Sequence, residues 1–199
     1  MRNRILICLC VATAIAAAPC LAASGPESPH GFGNIPFGAN KDKALDLNAG
    51  NGHMTDNPDK TATLTYTTLV AGLSFDVAQN FDLDGKAIDV TLTYSTHEQT
   101  NACIDRFNFV LQQLTTRYGK PRSPPALRRE DAAPTRTDVY TVDFVFPDHA
   151  AIKAQLTAGY ALPQAAAAAG AAPAAGAAAA GPSCGITLQY LPPRWIAQF

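Results

Sequence analysis

Leu73-Ser74-Phe75-Asp76-Val77-Ala78-Gln79-Asn80-Phe81, then Asp82-Leu83-Asp84-Gly85, then Ile88-Asp89-Val90-Thr91-Leu92-Thr93-Tyr94-Ser95: these residues decide the fold. Leu73, Phe75, Val77 and Phe81 alternate with Ser74, Asp76, Ala78 and Asn80. Ile88, Val90, Leu92 and Tyr94 alternate with Asp89, Thr91, Thr93 and Ser95. A period of two places one set on one face of a strand and the other set on the opposite face. The Asp-Gly step between the runs is a hairpin signal. One face is apolar and one is wet, so the pattern predicts an antiparallel sheet covered on one side.

Upstream, Thr61 to Thr68 alternates weakly, with Leu64 and Tyr66 on one face. Asn48 to Asp59 is rich in Gly, Asn, Asp and Pro and reads as a loop. Asn40 is a favourable helix N-cap, and Lys41 to Leu47 fits two helical turns with Ala44, Leu45 and Leu47 inward.

Downstream, the period changes. Cys103, Ile104, Phe107, Val110, Leu111, Leu114 and Tyr118 recur at three- and four-residue spacing, which predicts one long amphipathic helix over Gln99 to Tyr118. Gly119 and Pro121 are its stop signals. Lys120 to Arg136 reads as a proline- and arginine-rich loop. Alternation returns at Tyr140, Val142, Phe144 and Phe146, at Ile152, Ala154 and Leu156, and at Ile186, Leu188 and Tyr190. The expected fold is α+β: an antiparallel sheet of about six strands in α-βββ-α-βββ order, with one long helix packed on one face.

The chain begins like an export signal. Arg2 and Arg4 precede an apolar run from Ile5 to Ala18, Pro19 breaks it, and Cys20-Leu21-Ala22 follows. A basic start, a short apolar core and small residues before the cut are the parts of a secretory signal peptide. The run is shorter than the ~20 residues that span a bilayer. This predicts a signal peptide over 1–22, cleavage after Ala22, and a periplasmic or secreted protein. The alternative is a protein anchored to the envelope by a lipid on Cys20, although Pro19 is a poor residue before such a cut. A mobile leader is expected over 23–33, a single α+β domain over 34–192 and a C-terminal tail over 193–199.

Gln164 to Pro182 holds 13 alanines, three glycines, two prolines and one glutamine. Glycine and proline cut it into alanine runs too short for a free helix, so it reads as a disordered insertion in a hairpin loop.

The whole chain has 15 Lys and Arg against 16 Asp and Glu. Without Arg2 and Arg4 the acidic excess is three. No basic excess argues for nucleic acid, and no later stretch is long and apolar enough for a membrane helix. The expected form is a monomer that is not a transmembrane protein.

Three of the five cysteines leave with the signal, and Cys103 and Cys184 remain. In an oxidising compartment an even pair implies a disulfide. Cys103 lies on the helical stripe and Cys184 shares the parity of Ile186 and Leu188, so both sulfurs are expected at the helix–sheet interface.

Ile35-Pro36-Phe37-Gly38-x-x-Lys41, the Gly85-Lys86 hairpin and the helix ending Tyr118-Gly119-Lys120-Pro121 resemble small uncharacterised exported proteins of Gram-negative bacteria. The resemblance covers roughly Phe32 to Pro121, and Val139 to Tyr190 more weakly. It implies an architecture; that group carries no agreed activity, so no functional residue transfers.

Catalytic patterns are sparse. His30, His53, His97 and His149 form no H-x-H or H-E-x-x-H spacing. Asp82-x-Asp84-Gly85 opens like a calcium loop, but its twelfth position is Thr93, where a glutamate is needed. Ser183-Cys184-Gly185 has no neighbouring base to activate a thiolate. No catalytic, cofactor or metal residue is therefore assigned.

The main concentration of charge is Arg117, Lys120, Arg122, Arg128, Arg129 and Arg136, diluted by Glu130 and Asp131. It is a candidate contact for an anionic surface. The functional expectation is an exported, non-catalytic binding or envelope accessory module, its partner an unidentified envelope protein or an anionic surface. The alternative is an envelope enzyme whose site assembles only in three dimensions.

Overall fold

The computed structural model describes residues 27–48, 50–97, 100–132, 135–161 and 183–194. The expected signal peptide with Cys20, the alanine-rich insertion and the tail beyond Arg194 lie outside the described residues.

In chain order the elements are β1 (Gly31–Phe32), β2 (Ile35–Pro36), α1 (Lys41–Leu47), β3 (His53–Asp56), β4 (Ala62–Val70), β5 (Leu73–Phe81) and β6 (Ala87–Thr96). Then come α2 (Thr100–Tyr118), β7 (Ala126–Ala132), β8 (Thr135–Val145), β9 (Ala151–Ala161) and β10 (Ser183–Leu191). β1 and β2 form a small hairpin. The other eight strands form one sheet in the order β3-β4-β5-β6-β10-β9-β8-β7, every neighbouring pair antiparallel.

The α+β class and the antiparallel sheet agree with the alternation, but the sheet has eight strands and not six. Each half is α-ββββ, and the halves join where β6 pairs with β10. The two added strands, β3 and β7, arise in the stretches read as the loops Asn48–Asp59 and Lys120–Arg136. Both are the outermost strands. An edge strand is often short or charged so that it does not recruit other chains, and this erases the alternation a buried strand shows. β3 has four residues, and β7 reads Ala-Leu-Arg-Arg-Glu-Asp-Ala.

Both helices cover the same face. Cys103, Phe107, Val110, Leu114 and Tyr118 of α2 are buried with Phe75, Val77, Leu92, Phe144, Leu156, Ile186 and Leu188 of the sheet. Ala44 of α1 packs in a smaller cluster with Ile35, Leu64, Phe81 and Ala87. Between the clusters sits Gln79, fully buried, its Nε2 donating to the Asp89 carbonyl at 3.0 Å. Asn40 occupies the N-cap of α1 in extended backbone but makes no side-chain cap bond. Instead the Lys41 amide donates to the Gly85 carbonyl at 2.9 Å, tying the helix start to the β5–β6 turn.

Local turns follow from backbone chemistry. Ala71 and Gly72 join β4 to β5 with φ of 52° and 76°. Two successive positive φ angles match the right-handed twist of a tight hairpin. Gly119, at φ 82°, stops α2, and its amide donates to the Thr115 carbonyl at 2.9 Å.

Cys103 and Cys184 form a disulfide, their Cα atoms 5.7 Å apart, within the spacing of about 4.4–6.8 Å that such a bond requires. It joins the first turn of α2 to the start of β10.

Candidate binding surface

With both helices on one side, the alternate residues of all eight strands line the other. Register places Thr67, Asp76, Thr93, Thr187, Gln155 and Thr141 in one row across β4, β5, β6, β10, β9 and β8. The next row is Thr65, Ala78, Thr91, Gln189, Lys153 and Asp143. A third, shorter row is Thr63, Asn80 and Asp89 on β4, β5 and β6, and its three side chains are hydrogen-bonded in sequence. Thr63 Oγ1 donates to Asn80 Oδ1 at 3.1 Å, and Asn80 Nδ2 donates to Asp89 Oδ1 at 2.8 Å.

Threonine suits this position. Its β-branch favours extended backbone, its methyl gives apolar contact, and its hydroxyl both donates and accepts. The segments Thr63-Leu64-Thr65-Tyr66-Thr67 and Thr91-Leu92-Thr93-Tyr94-Ser95 are nearly the same sequence on β4 and β6. Each points Leu and Tyr at the helices and hydroxyls at the open face. Between them the small Ala78 floors a depression of about 740 Å³, bounded by Thr65, Thr67, Thr91, Thr93 and Asp76, with Asn51 and Gly52 at its rim. The strand residues of this face include the acids Asp76, Asp89, Glu130 and Asp143 and the bases Arg128 and Lys153.

The six basic residues do not form one patch. Arg129 and Arg136 converge on the helix-side face at Asp138, which is only 3% exposed. Arg136 Nε and Nη2 donate to its two carboxylate oxygens at 3.0 and 3.1 Å. Arg129 Nε donates at 3.1 Å, and the Tyr160 hydroxyl at 3.2 Å. The Arg136 hydrogen bonds hold the Asp138 carboxyl below the usual carboxylate range against the opposing pull of burial, and Arg129 and Tyr160 add to them. Arg136 also lies 5.5 Å from the centre of the Tyr160 ring.

Arg128 points to the other face and pairs with Glu130 at 2.9 Å. Arg122 lies at the far end of β8, its amide bonded to the Asp143 carbonyl, about 23 Å along the strand from Arg136. Lys120 follows the end of α2. Arg117 stacks 5.2 Å from the Tyr118 ring and lines a cleft of about 360 Å³ beside Glu27 and His30.

The histidines stay apart: His30 on that cleft, His53 on β3, His97 after β6 and His149 in the β8–β9 turn. Among the described residues no three His, Cys, Asp or Glu side chains are grouped as metal ligands. Asp82 is occupied by its turn, its Oδ1 accepting from the Asp84 and Lys86 amides at 3.0 and 2.8 Å. No helix among the described residues is long and apolar enough to cross a membrane.

The polar rows of the open face escaped the sequence reading as a site. Their signal was present in the repeated Thr-Leu-Thr-Tyr, but one strand at a time shows only a wet face. No family model, curated protein or solved structure matches this chain.

Proposed function

We propose that this chain is an exported, non-catalytic binding module of the bacterial envelope, and that a protein partner docks on the face of its sheet opposite α1 and α2. The observation that carries this reading is that face itself. Eight strands about 4.8 Å apart and about nine residues long present roughly 1,000 Å². A stable protein–protein interface needs about 800 Å² on each side.

Its rows of methyls, hydroxyls and amides match the mixed polarity of a non-obligate interface. A protein is favoured over an anionic surface because the face carries more acids than bases. Arg129 and Arg136 are also already engaged by Asp138. Export is supported by the basic start and apolar run of the first 22 residues.

The test uses the full chain in its own compartment. A photo-reactive phenylalanine is placed at Thr93 or Thr187, neighbours on one row, and at Asn108 on the outer side of α2. The expected result is the same discrete adduct from both face positions and none from Asn108, in a protein whose intact mass begins at Ala23. Adducts from Asn108 alone, or from no position, would overturn the docking face. A diacylglycerol-modified Cys20 would replace the soluble form with the anchored one.

A further inference from the structure

β3 covers only part of the outer edge of β4. It pairs His53 to Asp56 with Thr65 to Ala62. From Tyr66 to Val70 that edge has no strand partner among the described residues. The direction of its backbone groups is set by the turn at the strand's start, where the Asn57 amide donates to the Thr61 carbonyl at 2.8 Å. Backbone groups alternate along an antiparallel strand. Thr61, Thr63 and Thr65 therefore address β3, and the amides and carbonyls of Thr67 and Leu69 point out of the sheet. Tyr66, Thr68 and Val70 point theirs at β5.

This open stretch, Tyr66-Thr67-Thr68-Leu69-Val70, has no charge, no proline and no glycine, and it is β-branched or aromatic at four of five positions. Leu69 is 73% exposed. Natural edges are normally blunted by charge, proline or a bulge. β7 at the far side shows the blunted form, with Arg128, Arg129, Glu130 and Asp131 in succession. The stretch Tyr66–Val70 is about 17 Å long, with Gly52 and Asn51 beside its Tyr66 end and the Ala71–Gly72 turn at the other.

We infer that the Tyr66–Val70 edge of β4 is a strand-addition site that takes an extended, uncharged peptide segment of a partner, laid in line with β3. Outward N–H and C=O groups at every second residue are complementary to another strand's backbone, which identifies the occupant as extended peptide. Side chains of the added strand that lie on the helix side meet Tyr66 and Val70, so these positions take apolar residues. Those on the other side meet Thr67 and Leu69. With no charge in the slot, binding depends little on salt. The inference is separable from the open face through Leu69, which lies outside the two rows of that face, whereas Thr67 belongs to both.

The test is amide hydrogen exchange by NMR on the full chain, with the uncharged peptide acetyl-Gln-Val-Thr-Val-Thr-Val-Gln-amide as probe. In the free protein, Thr67 and Leu69 amides should exchange fast and those of Thr68 and Val70 slowly. The peptide should bind saturably and slow exchange at Thr67 and Leu69 by about tenfold or more. Thr67→Pro removes an outward donor without touching the β4–β5 ladder, and Leu69→Lys adds an edge charge. Each should weaken binding by about tenfold while the thermal midpoint stays near that of the parent. Loss of binding together with loss of folding in Thr67→Pro leaves Leu69→Lys as the deciding variant. Absence of any response at these two amides overturns the site. So does their protection in the free protein: independent of concentration it means the chain covers its own edge, and dependent on concentration it means a second copy does.

Discussion

At one side of the sheet β7 runs seven residues along β8; at the other, β3 runs four and leaves the outer edge of β4 from Tyr66 to Val70 without a strand partner among the described residues. The β7 side is charged and anchored, since Arg129 reaches across the strand pair to the buried Asp138. The β3 side is held by Lys41 of α1, whose Nζ donates to Asp56 Oδ1 at 2.8 Å, an exposed contact of the kind that contributes little to stability. The helices differ in the same sense, 19 residues for α2 and seven for α1. Both outermost strands present backbone groups along their outer edges, but those of β7 are flanked by Arg128, Arg129, Glu130 and Asp131. The Tyr66–Val70 edge of β4 has no strand partner among the described residues and no charge, the condition under which a sheet recruits another chain.

The sharpest way to break this contrast is to remove what holds the middle. Replacing Cys103 and Cys184 with alanine releases a link across a sequence separation of 81 residues. Chain entropy assigns such a link roughly 4 kcal/mol. The urea midpoint should fall accordingly, and exchange should quicken most in α2 and β10. A change below about 1 kcal/mol would mean that helix packing alone clamps this half.

A smaller effect tests the anchored edge. Asp138→Asn should lower the melting temperature at neutral pH by about 5 °C, since Arg136 and Arg129 lose their shared anion. The carboxyl of Asp138 titrates below its ordinary value of 3.8 in the folded chain. Its contribution is therefore fully present above that value and is lost as pH falls through the lower folded pKa. Urea midpoints measured from pH 7 down to pH 2 should fall less steeply in Asp138→Asn than in the parent. Equal slopes would show that Asp138 does not govern this limb.

The smallest effect lies on the open side. Ala71 holds a positive φ that alanine adopts reluctantly, so Ala71→Gly should stabilise the protein by about 0.5–1 kcal/mol. A destabilised variant would mean that the entropy glycine adds to the unfolded chain outweighs the relieved strain.

The core of this fold was legible because burial imposes a period. Phe75, Val77, Leu92, Ile186 and Leu188 alternate because each strand has one face against the helices, and Phe107, Val110 and Leu114 follow the 3.6-residue turn of α2. Those two periods aimed Cys103 and Cys184 at one interface, where they meet. β3 and β7 were not legible, because an outermost strand is written in the charges and short lengths that also mark a loop. The candidate site was less legible still. The six basic residues are near one another in sequence between 117 and 136, yet Arg122 and Arg136 end at opposite ends of β8.

By itself, then, the chain's sequence determined an α+β domain with an antiparallel sheet, one long helix and a cysteine pair between them. Each of these depends on local period or local composition, which act over a few residues. Only the tertiary structure decided that β6 pairs with β10, that threonines from separate strands form continuous rows, that Asp138 gathers two arginines and a tyrosine, and that the Tyr66–Val70 edge of β4 has no strand partner among the described residues. Those features depend on which distant segments become neighbours. That choice is made by the summed burial of the whole sheet and by the register of its strands, which no single stretch of the chain contains.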